Sequence, residues 1–210
     1  MIRALIADDH AVVRQGLKQI LGDTPEMVVA GEATNGQEVL DRVRAETWDV
    51  VVLDISMPDR SGLDVLKQLR SERPKLPVLV LSMHSEDQYA MRVLKAGASG
   101  YLTKDTAPDE LVKAIRKVVS GGRYVSSFLA EKLAFEIGTD SSRLPHETLS
   151  DREFQVLRLI AAGKSVTEIA AELYLSVKTV STYRARMLEK MNLETSAQLM
   201  HYAMQNHLVD

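Results

Sequence analysis

The chain has 210 residues, which is enough for one large domain or two small ones. An apolar share of 45% beside 26% charged residues is ordinary for a globular protein, and the lack of cysteine excludes disulfides and thiolate metal sites. The net charge of −3 gives no basic excess, so any contact with nucleic acid must come from a local patch. Because Asp8 and Asp9 interrupt the first apolar run and no apolar stretch approaches the roughly 20 residues that span a bilayer, we expect a cytoplasmic protein with no membrane partner.

Four short apolar runs each end at a polar residue that suits phosphate chemistry. The runs are apolar throughout rather than alternating, which is typical of parallel strands buried on both faces. The carboxyl ends of such strands share one edge of the sheet, where open α/β sheets bind ligands. The four runs are residues 2–7 before Asp8 and Asp9, 50–53 before Asp54, 78–81 before Ser82, and 101–102 before Thr103 and Lys104.

Helix-like stretches alternate with strands over the first 124 residues. A second strand is predicted at 27–33, and turn-forming residues occupy 57–62. Pro108 is placed near the start of the fifth helix and Gly121-Gly122 at its end. The signals for the five helices are, in order, Val13, Leu17, Ile20 and Leu21; residues 37–44; Leu63, Leu66 and Leu69; Ser85; and Leu111, Val112, Ile115, Val118 and Val119. The pattern predicts an α/β fold with a doubly wound five-stranded parallel sheet, and it contains no glycine-rich dinucleotide or Walker loop.

The side chains at the predicted edge of the sheet favour one kind of chemistry. Asp8, Asp9 and Asp54 cannot all be ionised within a few ångströms of one another without a cation. An all-oxygen site suits Mg²⁺ or Mn²⁺, and the lack of cysteine or clustered histidine argues against zinc. Asp54 stands alone at its strand end, which predicts a nucleophile that forms an acyl phosphate. Lys104 and Ser82 would then donate to the phosphoryl oxygens.

Each of these residues also has an ordinary structural interpretation. The first two aspartates could cap the first helix, Asp54 could be a turn residue, Ser82 an N-cap and Lys104 a solvated lysine. Capping alone explains poorly why five suitable residues follow successive strands. His10 and His84 are placed near the mouth of the site without a role as ligands.

One set of motifs in the first 120 residues or so is shared with a known family. It consists of Asp8-Asp9, Asp54 with Met57-Pro58, Leu81-Ser82, and Gly100-Tyr101 with Lys104. Together these motifs resemble the receiver domain of two-component response regulators, which has a flavodoxin-like fold. The resemblance implies that Asp54 accepts a phosphoryl group from a sensor histidine kinase or a small phosphodonor, and that Ser82 and Tyr101 shift when it does. The implied Mg²⁺ ligands are Asp9, Asp54 and the backbone carbonyl of Ser56, with Asp8 acting partly through water.

One departure from that family concerns the residue after Lys104. Many receivers have proline there, where the peptide bond is cis, whereas this chain has Asp105. A cis bond before a non-proline residue costs roughly 2.5–4 kcal/mol. Either the bond between Lys104 and Asp105 is cis at that cost, or it is trans.

A segment of different composition follows the first domain. Residues 138–145 are polar and rich in turn formers, which is typical of a segment between domains. One further helix is predicted at 126–137, with apolar side chains at Phe128, Leu129, Leu133 and Ile137. We therefore expect a receiver domain at 1–124, a partly helical linker at 125–146, and a smaller all-α domain at 147–210.

Capping residues predict four short helices in this second domain. Ser150 and Glu153 form a capping box, with Leu149 and Phe154 as its hydrophobic staple. Residues 173–175 leave only a short link between the second and third helices, which is typical of a helix-turn-helix. The other predicted starts are Ser165 with Glu168, Ser176, and Thr195 with Gln198.

The third of these helices has a distinct surface pattern. One side is predicted to be buried by Val177, Val180, Met187, Leu188 and Met191. The charges between 178 and 190 are Lys178, Arg184, Arg186 and Lys190 against Glu189. A charged helix face is most often simply solvated, but the position as second helix of a tight pair favours DNA binding. The predicted contacts are Lys178, Thr179, Ser181, Thr182, Ala185, Arg186 and Lys190.

Short motifs from residue 149 to about 199 match a second family. They are Leu149-Ser150-Asp151-Arg152-Glu153, Val156-Leu157, Ile160-Ala161, Gly163-Lys164-Ser165, Glu168-Ile169-Ala170, Leu175-Ser176 and Lys178-Thr179-Val180. They resemble the LuxR/FixJ-type helix-turn-helix, and together with the receiver they resemble the NarL/FixJ class of response regulators. Val166 and Tyr183 depart from the frequent asparagine and histidine, so the DNA sequence preference cannot be carried over.

The combined resemblance implies a transcription regulator that is switched by phosphorylation of Asp54. Phosphorylation would release or dimerise the carboxyl-terminal domain, which would bind paired half-sites in promoter DNA as a homodimer. That class often dimerises through the last helix, here 196–206, and the residues expected to suit the contact are Leu199, Met200 and Ala203. Beyond autophosphorylation from small phosphodonors and slow self-dephosphorylation, no enzymatic activity is expected.

Two other classes of protein remain in view. An aspartate-nucleophile phosphatase uses a similar acidic crevice, but it normally needs a second acid two residues after the nucleophile, where this chain has Ser56. A regulator that binds DNA constitutively would use its receiver only for dimerisation, and the complete acidic set argues against this. Multiple turnover would identify the phosphatase, and an unchanged DNA affinity with beryllofluoride would identify the constitutive regulator.

Overall fold

The computed structural model describes residues 1–57, 60–83, 86–106, 108–126, 129–131 and 144–209, apart from the side chains of Asp87 and Gln88. The chain divides into two compact units, 1–138 and 139–210. Within the described ranges, no helix is both long enough and apolar enough to cross a membrane. The domain bounds predicted at 124 and 147 remain a prediction.

Five strands form one parallel sheet in the amino-terminal unit: β1 (Ile2–Ala7), β2 (Met27–Ala33), β3 (Val50–Asp54), β4 (Val78–Ser82) and β5 (Gly100–Thr103). Their order across the sheet is β2-β1-β3-β4-β5. Every residue of β3 and β4 is buried, because helices cover both faces, and this explains why the two runs are apolar throughout. The predicted doubly wound parallel sheet is confirmed.

The described helices of this unit are α1 (Ala11–Gly22), α2 (Gly36–Ala45), α3 (Gly62–Glu72), α4 (Glu86–Lys95) and α5 (Pro108–Val119). The predicted stripes face the core; Leu17 and Leu21 of α1, for example, are buried in the same cluster as Ile115 of α5. Pro108 begins α5 as predicted, and Gly121 follows its end with a φ of 88°. The predicted helix start at Ser85 lies outside the described residues.

The strand register brings the polar strand ends together. In a parallel sheet, residues that are paired across neighbouring strands lie at the same height, so strands that end in register deliver their last side chains to one edge. The pairs at this edge are Ala7 with Leu53, Asp54 with Leu81, and Ser82 with Thr103. Asp8, Asp54, Ser82 and Lys104 therefore lie side by side.

The chain returns to the sheet after α5. Tyr124 forms an isolated parallel bridge with Gly100 at the outer side of β5, and its hydroxyl donates a hydrogen bond to Glu110 of α5. Residues 129–131 are helical, and Leu129 is buried. The rest of the helix predicted at 126–137 lies outside the described residues, including Phe128, Leu133 and Ile137.

The described part of the carboxyl-terminal unit contains a 3₁₀ helix (Pro145–Thr148) followed by α6 (Asp151–Ala161), α7 (Val166–Glu172), α8 (Val177–Lys190) and α9 (Ser196–Gln205). Each α-helix begins where its capping residues predict. Ser150, Ser165 and Thr195 form capping boxes. The Ser176 hydroxyl accepts a hydrogen bond from the Thr179 N–H at 3.0 Å. These caps satisfy N–H groups that have no partner within the helix and so set its first residue.

The core of this unit lies where α6 packs against α8 and α9. Leu149 and Phe154 are 4% and 1% exposed, as expected for the staple at the start of α6. Helices α7 and α8 are joined by residues 173–176, and Tyr174 has a φ of 54°. The left-handed conformation at Tyr174 reverses the chain within this short link, which produces the predicted helix-turn-helix.

Candidate functional site

Asp8, Asp54 and Lys104 form one buried cluster at the carboxyl edge of the sheet. Lys104 Nζ lies 2.6 Å from Asp8 Oδ2 and 2.7 Å from Asp54 Oδ2. Both aspartates are 1% exposed. Backbone N–H groups hold the other oxygens: that of His10 donates to Asp8 Oδ1, and that of Ser56 donates to Asp54 Oδ1, each at 2.8 Å. One ammonium group therefore lies against two fixed carboxylates.

Burial and charge act in opposite directions on this cluster. Burial raises the pKa of Asp54 above its usual range, and the Lys104 ammonium and the Ser56 N–H oppose that rise. Burial also lowers the pKa of Lys104, but Asp54 and Asp8 outweigh it, so that the pKa of Lys104 lies above its usual value. Lys104 is therefore charged at neutral pH and can stabilise additional negative charge beside Asp54.

Asp9 and His10 complete a group of side chains that could hold a metal ion. One ligand atom from each of Asp8, Asp9, His10 and Asp54 lies within 4.8 Å of the other three. Asp8 Oδ2 is buried, and no well-aligned hydrogen bond reaches it within the described chain; its contact with Lys104 is an ion pair. Converging carboxylates with an incompletely bonded oxygen fit Mg²⁺, which takes oxygen ligands and retains water. The acidic cluster is compatible with Mg²⁺.

His10 takes a larger part in the site than the sequence indicated. Its Nδ1 lies 2.9 Å from Asp9 Oδ1 and 3.3 Å from Asp8 Oδ1. The residue occupies the N-cap position of α1, so its side chain can turn back over the crevice. The sequence signal for this role was the position of His10 directly after two aspartates. His84, the other histidine predicted near the mouth, lies outside the described residues.

Ser82 and Tyr101 lie on neighbouring strands beside the cluster. Both are 0% exposed, and the register pairs Tyr101 with Val80, two residues before Ser82. The backbone N–H of Lys104 donates to the Ser82 carbonyl at 2.8 Å. This bond joins the loop that carries the ammonium to the strand that carries the hydroxyl.

The loop after β5 shows whether the peptide bond before Asp105 is cis or trans. No cis peptide bond occurs among the described residues, so the bond between Lys104 and Asp105 is trans. The Thr106 N–H donates to the Thr103 carbonyl at 3.1 Å and closes a turn around them. Lys104 reaches both aspartates from this trans loop.

Helix α8 presents most of its predicted DNA-binding residues to solvent. Its exposed members are Lys178, Thr182, Ala185, Arg186 and Lys190, and its half-buried members are Thr179 and Ser181. The Thr182 hydroxyl donates to the Lys178 carbonyl at 2.9 Å, so its hydrogen lies against the helix. The exposed face combines cations with small side chains.

The predicted buried side of α8 is correct except at its first residue. Val180 and Met187 are each 0% exposed, Met191 is 5% exposed, and Leu188 is half-buried. Val177 is 49% exposed, so the prediction that it is buried is wrong. At 100° per residue, Val177 lies about 60° around the helix from Val180, at the margin of the buried stripe.

Lys190 differs from the other predicted DNA contacts because it has an ion-pair partner inside the unit. Its Nζ lies 2.6 Å from Oε2 of Glu153, whose side chain is 3% exposed. The same oxygen accepts the Ser150 N–H at 2.7 Å. Lys190 therefore joins the end of α8 to the capping box of α6, and its contact with DNA stays a prediction.

We expect Lys190→Ala to reduce stability more than DNA affinity. Burial raises the pKa of Glu153, but Lys190 and the Ser150 N–H outweigh it and hold that pKa below its usual value. Their contribution is therefore present at neutral pH and is lost as the pH falls through the folded-state pKa. Loss of the half-exposed Lys190 side chain should lower the free energy of unfolding by about 1–2 kcal/mol. The melting temperature of this unit should fall by roughly 4–8 °C for each kcal/mol.

Calorimetry of the full chain measures this effect. The matched control is Arg184→Ala, since Arg184 is exposed and forms no ion pair among the described residues. Equal melting transitions for the two variants would show that the contact with Glu153 is not stabilising.

Two residues predicted to suit a dimer contact lie instead in the core. Leu199 and Ala203 of α9 are each 0% exposed, so that part of the prediction is wrong. They face inward because α9 packs on α6, whereas Met200 is half-buried. The exposed side of α9 includes Met204, which is 65% exposed.

Residues 4–116 match the response regulator receiver domain, and residues 147–203 match the luxR family of bacterial regulatory proteins. The chain belongs to the two-component response regulators, in the NarL/FixJ class that joins a receiver to a LuxR-type helix-turn-helix. Members of this class are DNA-binding transcription regulators.

The similarity to individual relatives extends along the whole chain. Response regulator UvrY of Escherichia coli (strain K12) is 39% identical over 209 residues, which are 99% of this chain and 96% of UvrY. Response regulator GacA of Pseudomonas protegens is 39% identical over 210 residues, covering 100% and 99%. RcsB of Salmonella enterica serovar Typhimurium, solved bound to promoter rprA with phosphomimetic BeF₃⁻, has a TM-score of 0.66 at 29% identity, covering 97% of this chain and 99% of that one.

Proposed function

We propose that phosphorylation of Asp54 switches this regulator between two states that differ in their affinity for promoter DNA. The observation that carries the proposal is the contact of Lys104 with both Asp8 and Asp54 in one buried crevice. Helix capping requires no such cluster, and buried ionisable groups with strong mutual interaction are concentrated at functional sites. The receiver at 1–124, the linker at 125–146 and the DNA-binding domain at 147–210 are part of this proposal.

Asp54 would act as the nucleophile. A carboxylate oxygen attacks the phosphorus of a phosphohistidine on the cognate sensor kinase, or of a small phosphodonor such as acetyl phosphate. The new P–O bond forms as the bond to the donor breaks, and the electron pair leaves with the donor. Lys104 and Ser82 donate to the phosphoryl oxygens. When bound, Mg²⁺ or Mn²⁺ neutralises charge on these oxygens, and its ligands would be Asp8, Asp9, Asp54 and the backbone carbonyl of Ser56.

Ser82 and Tyr101 would pass the change to the rest of the domain. The phosphoryl group draws the Ser82 hydroxyl toward Asp54, and the buried Tyr101 ring repacks beside β4. Because protein interiors are densely packed, a small displacement there alters the surface around β4 and β5.

The site fits a slow switch better than a phosphatase. Hydrolysis of an aspartyl phosphate requires a base that activates water, and Ser56 stands where the phosphatases of this chemistry carry an acid. We therefore expect autophosphorylation and slow self-dephosphorylation. Steady hydrolysis of many phosphate esters per chain would favour the phosphatase instead.

Helix α8 would enter the major groove of promoter DNA. Lys178 and Arg186 have no ion pair within the described chain, so both can neutralise phosphates. Ser181, Thr182 and Ala185 are small enough to bring the helix close to the base edges, and Thr179 and Lys190 would flank them. The promoter complex of RcsB supports this role. A cytoplasmic location follows from a promoter target.

We expect a homodimer on paired half-sites, formed through the exposed side of α9. Met204→Glu should leave the unit folded but weaken binding to a two-half-site fragment by about 10-fold or more, because a charge at an apolar contact must be desolvated. Gel shifts on fragments with one and two half-sites measure the effect. Gln205→Glu adds the same charge at the neighbouring exposed position and serves as the control. An equal loss on a single half-site would contradict dimerisation through Met204.

A further inference from the structure

A cavity of about 710 Å³ lies at the edge of the sheet opposite Asp54. It is formed by residues that precede β3, β4 and β5 and by the ends of α3 and α5. Its volume lies in the range of small-molecule sites, and its lining combines six charged side chains with apolar ones. None of its lining residues belongs to the phosphoacceptor cluster.

The cavity carries an excess of positive charge. Its charged lining residues are Arg70, Arg73, Lys75 and Arg123 beside Asp49 and Glu72. Both acids already have partners: Asp49 Oδ2 accepts the backbone N–H of Arg3 at 2.7 Å, and Glu72 accepts two hydrogen bonds from Arg44, at 2.6 and 2.9 Å. The four cations of the lining exceed its two acids by two charges, which matches the charge of a dianion.

Arg70 is fixed by the protein without being neutralised by it. Its stem packs on Gly97, where an added Cβ would lie 2.9 Å from Arg70 Cγ. Nη1 donates to the Pro74 carbonyl at 2.8 Å and Nη2 lies 3.4 Å from Ser99 Oγ. The buried Nε has no acceptor within the described chain. Arg123 lines the same cavity, and burial together with the charge of Arg123 lowers the pKa of Arg70.

The ends of two helices explain part of this charge. Helices α3 and α5 both end at the cavity, and their last carbonyl groups favour cations. Arg70 bonds the carbonyl of Pro74, two residues beyond the end of α3. The carbonyls do not account for Arg123, which is exposed, lines the cavity and forms no ion pair in the described ranges.

We propose that this cavity binds a small phosphate monoester that carries an apolar group. The phosphate, with nearly two negative charges at neutral pH, would lie between Arg70 and Arg123 and accept charge-assisted hydrogen bonds from both. The apolar group would pack on the partly exposed side chains of Leu76, Pro77 and Val119.

Trp48 is the only tryptophan of the chain, so its fluorescence reports on the cavity. Phenyl phosphate, titrated into the full chain at constant ionic strength, is expected to change this fluorescence saturably and to raise the melting temperature. Inorganic phosphate lacks the apolar group and benzoate lacks the second charge, so each should bind at least about 10-fold more weakly. No saturable change with phenyl phosphate, or equal binding of benzoate, would overturn the proposal.

Substitutions locate the binding site. Arg123→Gln alters an exposed side chain and should weaken binding by about 10-fold or more, and Arg70→Lys, which keeps the charge but loses the planar fork, should do the same. Arg116→Gln lies on α5 outside the cavity and is the matched control, with unchanged affinity. Asp54→Asn should also bind normally, which separates the cavity from the phosphoacceptor crevice. Full affinity in Arg123→Gln would rule the proposal out.

Discussion

Asp54→Asn is expected to abolish acyl-phosphate formation, with a loss of essentially all labelling by acetyl phosphate. The amide has nearly the same shape as the carboxylate, but it cannot serve as the nucleophile, and it removes one of the two negative charges that contact Lys104. Intact-protein mass spectrometry after incubation with acetyl phosphate and Mg²⁺ measures the bound phosphoryl group. The response of DNA binding to the phosphodonor should disappear with it.

Asp105→Asn is the control for this substitution. Asp105 is exposed and directly follows Lys104, so the change is chemically identical but lies outside the crevice. Its labelling should equal that of the unmodified protein. Full labelling of Asp54→Asn would reject the assignment and transfer the phosphoacceptor role to another aspartate of the cluster.

The combination of Lys178→Ala and Arg186→Ala is expected to lower DNA affinity by roughly 10–100-fold at moderate salt. Each cation that neutralises a phosphate releases counterions. The loss of each of the two cations should therefore reduce the slope of log affinity against log salt concentration by about 1. Both residues are exposed, and their removal should leave the fold unchanged. Fluorescence anisotropy with a labelled operator, repeated at several salt concentrations, measures both quantities.

Arg184→Ala provides a control on the same helix. At 100° per residue, Arg184 lies about 160° around the axis from the centre of the face formed by Lys178 and Arg186, and it should leave the slope nearly unchanged. If the double variant keeps the original slope while Arg184→Ala lowers it, the face formed by Lys178 and Arg186 does not contact the DNA phosphates.

The convergence of the acidic residues and Lys104 could be predicted because it depends on topology alone. Uniformly apolar runs identify buried parallel strands, and parallel strands end at one edge of the sheet. The contact between Asp54 and Lys104, which are 50 positions apart, is therefore predictable from the sequence. Capping boxes likewise predict helix starts because all their hydrogen bonds are local.

The features that could not be predicted depend on tertiary packing. Helical period places Leu199 and Ala203 on one stripe but does not say whether that stripe faces the domain core or a second subunit. The ion pair of Lys190 with Glu153 joins residues 37 positions apart and has no local signal. The arginines of the cavity come from α3 and from the segments that follow α3 and α5, and only the folded chain brings them together.

The central claim is that chemistry at Asp54 controls DNA binding by α8. The most direct test is the affinity of the full chain for an operator obtained by random-oligonucleotide selection, measured in Mg²⁺ with and without beryllofluoride. We expect beryllofluoride to raise the affinity by at least about 10-fold, or about 1.4 kcal/mol, and to have no effect on Asp54→Asn. The same affinity in both conditions would contradict the switch and identify a regulator that binds DNA constitutively.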